Sequence, residues 1–266
     1  MNVPAPSLTY RDPWRWMWML SLFVPAFVAM GPWLMQWAGD AKALWWPLIF
    51  LYVVVPLADA LIPPSRHNPP ESAVASLEND VYYKHITFAL VPVLWAAFIF
   101  AAWFVARHGL PWHGWLAMVL ATGAVGGFGI NLAHEMGHKH NRLERTLALW
   151  ALAPSGYGHF CVEHNRGHHH DVATPQDTAS SRMGESIWAF VWREMPGGAR
   201  RAWQYETQRL KRLGCSPFHA HNQILQGLAI TAALWSALVL WLGPEVLGFI
   251  LPVALWTNFQ LTSRSE

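Results

Sequence analysis

The chain has 266 residues, of which 53% are hydrophobic and only 13% charged, with 18 tryptophans. That composition excludes an ordinary water-soluble domain, and a formal charge of +2 with its basic residues confined to particular loops excludes nucleic acid as a partner. Two cysteines, Cys161 and Cys215, exclude a disulfide framework, and with no CxxC spacing they read as ordinary thiols.

The apolar residues stand in blocks of about twenty, each long enough for roughly 30 Å of hydrocarbon. The first runs from about Trp16 to Ala38. The start that precedes it, Met1 to Asp12, lacks a small-residue cleavage site, so the run reads as a retained helix and not a signal peptide. Further runs follow at about Ala43 to Ile62, Ile86 to Ala106 and Trp112 to Ala133. Prolines within the spans (Pro25, Pro32, Pro47, Pro56, Pro92) are tolerated in a bilayer, where neighbouring helices satisfy the freed carbonyls. Two last runs, about Ile224 to Leu242 and Val246 to Leu261, are separated by the turn-forming Gly243-Pro244. The expected fold is all-α, a polytopic membrane protein with six transmembrane helices. Pro63-Pro64 and Pro69-Pro70 punctuate the connection between the second and third spans.

Basic residues near span ends are retained in the cytoplasm. Arg11 and Arg15 precede the first span, Lys42 alone follows it, Arg66 and Lys84 separate the second and third, and Arg107 alone follows the third. The segment from His134 to Gln223 then carries eleven, among them Lys139, Arg142, Arg145, Arg166, Arg200, Arg201 and Arg212. Both termini and this long segment are therefore expected on the cytoplasmic side. Tryptophans at run ends (Trp14, Trp16, Trp18, Trp33, Trp37, Trp45, Trp46, Trp112, Trp115) fit an interfacial belt. Gly123, Gly126, Gly127 and Gly129 in the fourth span allow close helix packing, or leave room beside it for an elongated apolar substrate.

Fourteen histidines are an excess that a membrane composition does not explain. Most fall after the fourth span, and the tightest groups are His134-Glu135-Met136-Gly137-His138 and Glu163-His164-Asn165-Arg166-Gly167-His168-His169-His170. On a helix continuing out of that span, His134 and His138 project from one face a turn apart and can share a metal ion. His164 and His168 repeat the spacing, and His169 adds a nitrogen about 100° further round, within reach of a second ion. Five imidazoles are too many for one tetrahedral zinc, so two metals are expected. Imidazole suits iron, copper, nickel and zinc alike. Glu135, Glu163 and Asp171 are the expected partners orienting the rings. The isolated His67, His85, His108, His113, His219 and His221 read as loop or interface residues, and His140, His159 and His170 stay outside the metal set. His134-Glu135-x-x-His138 also matches the HExxH pattern of zinc proteases, which would need a third ligand elsewhere but not the second cluster.

At these residues the sequence resembles the membrane di-iron family of desaturases and hydroxylases, most closely its alkane-monooxygenase branch. Asn131-Leu-Ala-His-Glu-Met-Gly-His-Lys139 is similar to that branch's first histidine box and Glu163-His-Asn-Arg-Gly-His-His169 to its second. Asp171–Pro175, Ser180–Ser186, Arg193–Pro196 and His221–Leu225 extend the likeness. The resemblance implies terminal hydroxylation of medium-chain n-alkanes drawn from the bilayer. The oxidant is dioxygen, with electrons from rubredoxin, itself supplied by a reductase and NADH. It implies two iron ions, with His134, His138, His164, His168 and His169 matching the iron ligands, and a bacterial inner membrane as location. Xylene monooxygenases and desaturases are the neighbouring alternatives. Arg200, Arg201 and Arg212 could steer an acidic rubredoxin, although the positive-inside bias is the simpler account of these charges. The family carries a third histidine box beyond its sixth span, whereas the likeness here stops at Arg264-Ser265-Glu266. The expectation is one integral-membrane domain over 1–266, cut short at the C-terminus with its metal site incomplete.

Overall fold

The computed structural model describes residues 10–63 and 68–262. Expectations placed on Met1–Thr9, Pro64, Arg66, His67 and the Arg264-Ser265-Glu266 end lie outside these residues. All regular elements among the described residues are helices. The first expected span is not one rod: a 3-10 segment, Arg15–Phe23, meets α1 (Phe27–Ala38) at a 57° bend. Pro25 sits in that break, where its missing N–H and ring make a kink inexpensive. Pro32 and Pro92 lie inside unbroken helices, so among the span prolines Pro25 alone marks a break of this kind.

α2 (Ala41–Leu61) is continuous but passes through 3-10, α and π geometry, with Pro47 and Pro56 at the starts of its α segments. A short α3 (Glu71–Glu78) leads into α4 (Val81–Arg107), which Asp80 caps by accepting from the Tyr82 N–H at 2.9 Å. Arg15 pairs with Asp80 at 2.9 Å and Tyr83 donates to Asp12 at 2.7 Å, pinning the bent first segment to α4. α5 (Trp112–Gly137) is the central helix, with thirteen buried residues. α6 (Arg142–Leu152) is started by the Asn141 side chain, which accepts from Leu143 N–H at 2.9 Å. After a further helix over 160–171 come α7 (Ile187–Arg212), α8 (Gln223–Leu242) and α9 (Leu247–Thr262).

Among the described residues four helices are long and apolar enough to cross a bilayer, α2, α4, α5 and α8, or five if the bent first pair is one span. The expected count of six is not confirmed among these residues. The last run is helical over Leu247–Thr262, up to the end of the described residues, and follows directly on a 3-10 turn, Pro244–Val246. Gly243, at φ 96°, and Pro244 make the expected turn before it.

α5 and α9 pack most closely. A Cβ on Gly123 would lie 2.5 Å from the Trp256 ring and one on Gly126 2.5 Å from the Thr257 hydroxyl, while Thr257 donates to the Gly123 carbonyl at 3.2 Å. Close backbone approach and an interhelical hydrogen bond drive association where lipid removes the hydrophobic incentive. These glycines therefore serve packing first. Gly126 and Gly129 also line a small apolar cavity with Leu94, Phe98, Val125 and Val253. Of the belt tryptophans, Trp14, Trp16, Trp18, Trp33, Trp37, Trp46 and Trp112 are exposed, but Trp45 and Trp115 pack against the core.

Candidate metal centre

α5 runs past its apolar stretch into the first histidine box, so His134 lies in its last turn and His138 caps it. Their Nε2 atoms stand 3.1 Å apart. The second box does not continue as an α-helix. His164–His168 is a π turn flanked by α-helical Phe160–Glu163 and His169–Asp171. A π turn brings residue i+5 over residue i, and the result is direct: His164 Nε2 lies 3.0 Å from His169 Nε2, while the His168 ring only stacks on His164 with centroids 5.4 Å apart. The partner expected for His164 at i+4 is thus replaced by the one at i+5.

His134, His138, His164 and His169 come together, with ligand nitrogens all within 4.8 Å of one another. Two nitrogens bound at right angles to one ion at about 2.0–2.1 Å stand about 2.9 Å apart, so both close pairs are spaced as adjacent ligands of a metal. The donor set fits a metal ion. Burial, and after it the neighbouring rings, push His164 down to about 3 and lower His138 in the same sense. Both are neutral at physiological pH, the form that binds a metal. His168 stands beside this group. Its Nδ1 is 2.9 Å from Asp177 Oδ2, and its ring faces a cavity of about 210 Å³ shared with His134, His159, His164, Glu163 and Glu194.

What holds the π turn is α7. Its inner stripe, Glu194, Gly198, Ala202, Glu206 and Leu210, repeats every four residues and is buried. Glu206 is fully buried and takes Arg166 at 2.6 Å, Arg209 at 2.6 Å and the Gln223 N–H at 2.7 Å. Burial pushes its carboxyl up, but these donors more than offset that and leave it below its ordinary value. Arg166 lies inside the π turn, so Glu206 anchors the turn itself. Arg201 spans Asp171 at 2.8 Å, Asp177 at 3.4 Å and Glu163 at 3.6 Å. Asn165 donates to the Gly137 carbonyl at 3.0 Å, joining the two boxes. Gly137 and Gly167 sit tightly there: a Cβ would meet Cys161 Sγ at 2.9 Å in one case and Glu163 Oε1 at 2.6 Å in the other, so a neighbouring side chain would have to shift.

The expected orienting carboxylates fare unequally. Glu135 lies 3.4 Å from His134 Nδ1. Asp171 bonds His170, Arg201 and Tyr205 but none of the five candidate ligands. Glu163 faces Arg201, with Oε1 buried and unbonded, and burial raises its carboxyl to about 7 against the opposing arginine. Asp177, which the sequence did not single out, holds His168. Arg201 has 11% side-chain exposure and is consumed by this network, so it is not docking charge, whereas Arg200 and Arg212 are exposed. His159 is half-buried, and that burial pushes it down to about 4, with its ring 4.6 Å from Tyr157. His140 and His170 are exposed.

Residues 110–263, more than half of the chain, match the family model described as fatty acid desaturase. The chain belongs to the fatty acid desaturase family. Among relatives in this desaturase-type family, it is 44% identical to alkane 1-monooxygenase 1 of Alcanivorax borkumensis, over 98% of this chain and 65% of that protein. It is also 44% identical to alkane 1-monooxygenase of Pseudomonas putida, over 96% of this chain and 64% of that protein. A xylene/toluene monooxygenase hydroxylase component of Pseudomonas putida is 30% identical over 45% of this chain. The chain thus spans about 65% of the length of the alkane monooxygenases it matches.

Proposed function

We propose that this desaturase-family chain carries the membrane bundle and the first two histidine boxes of an alkane 1-monooxygenase, hydroxylating the terminal carbon of medium-chain n-alkanes. The observation that carries the reading is the four-imidazole cluster at the end of α5, five residues beyond Gly129 on the wall of the apolar cavity. Five residues are about 7.5 Å of helix, so an alkyl chain lying among Leu94, Phe98, Val125 and Val253 ends near the donors. The reaction consumes the alkane, dioxygen, two electrons and two protons, and yields a primary alcohol and water.

The proposed cofactor is a pair of iron ions held by His134, His138, His164, His168 and His169. Bound iron would supply the reductive activation of dioxygen that C–H cleavage requires. The chain's own residues do the rest. Asp177 fixes the His168 ring, the Arg166–Glu206 and Arg201 contacts hold the π turn that aims His164 and His169, and the apolar walls exclude water while orienting the chain. An open polar cleft of about 710 Å³ beside His138 and His169 is lined by Lys139, Arg142, Arg145, Arg166 and Arg209. Its charge supports an acidic electron donor, rubredoxin, approaching from the cytoplasmic side of a bacterial inner membrane. The excess of basic residues between α5 and α8 supports a cytoplasmic position for that segment.

The zinc-protease reading loses support from the same geometry. Catalytic zinc keeps three protein ligands and a water, whereas here four imidazoles converge and Glu135 is 71% exposed. Membranes in which the chain's gene is expressed, supplied with rubredoxin, its reductase, NADH and octane, are expected to form 1-octanol. Oxidation of methylarenes with no product from octane would move the assignment to the xylene branch.

A further inference from the structure

The connection from α7 to α8, residues 213–222, holds two features that look ordinary apart: a lone thiol, Cys215, and the pair His219 and His221. Folded, they converge, with the Cys215 sulfur and a nitrogen of each imidazole all within 4.8 Å of one another. The two rings meet edge to face with centroids 4.6 Å apart. Both histidines are exposed and Cys215 is partly so. None of the three touches the histidine cluster on α5.

The frame that presents these donors is fixed from the inside. Gly214, at φ 70°, reverses the chain as α7 ends, and the Cys215 N–H donates to the Leu210 carbonyl at 2.9 Å. Asn222 is fully buried: its amide donates to the Pro217 carbonyl at 2.7 Å, and its oxygen accepts from the first N–H groups of α8. Arg209 donates to the His221 carbonyl at 2.6 Å and Gln226 to the Ala220 carbonyl at 2.7 Å. Backbone carbonyls therefore face inward onto anchors, while the Cys215 thiol donates to the Leu213 carbonyl at 3.6 Å and His219 Nδ1 accepts from the His221 N–H at 3.2 Å. A turn held in this way has already lost the conformational freedom that ligand binding would otherwise cost.

We propose that Cys215, His219 and His221 form a second metal site, for a single borderline-soft divalent transition ion of the zinc type, with its fourth position open to water. One thiolate and two imidazoles are the donor set such ions favour, whereas calcium and magnesium take oxygen. Around a tetrahedral ion, ligand atoms stand roughly 3.3–3.7 Å apart, which exposed side chains reach by small rotations from their present separation. Binding deprotonates the Cys215 thiol and releases that proton to solvent, leaving a zinc–thiolate bond and one net positive charge. The Arg209 guanidinium is held inward by Glu206 and the His221 carbonyl. The bound ion would clamp the turn that returns the chain to the membrane, next to the polar cleft that His221 also lines. The proposal stands independently of the alkane reading.

Cobalt(II) titration of the purified full chain under reducing conditions tests it, because only a site with a sulfur donor gives a thiolate-to-cobalt charge-transfer band, and the histidine cluster has none. The band is expected in the wild type, absent in Cys215→Ser, and to need about tenfold more cobalt in His221→Ala. A wild type without the band at saturating cobalt, or a band that survives Cys215→Ser, overturns the proposal. If Cys215→Ser fails to fold, alkylation of Cys215 in the wild type decides: zinc slows it about tenfold or more if the thiolate is bound, and an unchanged rate overturns the site.

Discussion

His168 shows how a ligand-type residue acquires its orientation. It sits off the four-imidazole group, and the contact that fixes its tautomer and tilt comes from Asp177, nine residues on and fully buried. Asp177→Asn keeps the volume but loses the charge that faces both His168 and Arg201. We expect about 10–100-fold weaker ferrous iron binding with helical content unchanged, read by iron titration alongside circular dichroism. The residue level was only partly legible in the sequence. Histidines separated by four on a continuing helix could be paired on sight, as His134 and His138 were. Carboxylates were expected to act on their chain neighbours, and Glu135 does. Asp177 acts across a turn whose path no spacing rule discloses, and Arg201 looked like surface charge because nothing in the sequence says that three carboxylates surround it.

At the scale of elements, the second box is a π turn held open by α7. Period arithmetic on an α-helix pairs His164 with His168; the widened turn pairs it with His169 instead. The sequence offered no warning, since the anchors, Glu206 and Arg201, lie forty or so residues away on another helix. Glu206→Gln leaves Arg166 and Arg209 without their buried counter-charge. Removing one partner of a buried pair costs about 3–5 kcal/mol, and the partial exposure of the arginines places this case at or below the lower end. The folded carboxyl lies below its unfolded value, so its contribution is complete above about pH 4.3 and is lost as pH falls through the folded value. Thermal unfolding in detergent should therefore show a wild-type midpoint that declines below about pH 4, and a Glu206→Gln midpoint that is lower at neutral pH and loses that part of the decline. Packing of α5 on α9 gives a second check: Gly126→Val, forced against Thr257, should destabilise by about 1–3 kcal/mol, measured as a lowered midpoint. This packing was legible, because a glycine cluster in a span has few other uses.

For the whole molecule, composition identified a helical membrane protein, and the four helices long and apolar enough to cross a bilayer among the described residues all fall in expected runs. Six spans are not confirmed among the described residues, because hydropathy records apolar length but not the bend at Pro25. Sidedness rests on the basic residues. In a chain whose two native cysteines are replaced by Ser, Arg145→Cys should label from the cytoplasmic side and Gly109→Cys from the opposite side, with an impermeant maleimide as the probe. The reverse pattern would invert the topology and remove the donor's route to the cleft. That cleft, the four imidazoles and the apolar cavity lie along successive turns of α5 and its neighbours, an order suited to electrons from one side and a bilayer-borne substrate from the other.

The central claim is that the histidine boxes build an iron centre. Metal analysis after anaerobic reconstitution with ferrous iron tests it most directly, comparing wild type with His164→Ala. The account predicts an iron pair in the wild type and loss of iron from His164→Ala with the fold intact. A single zinc with no iron in the wild type, or full iron content in His164→Ala, would contradict it.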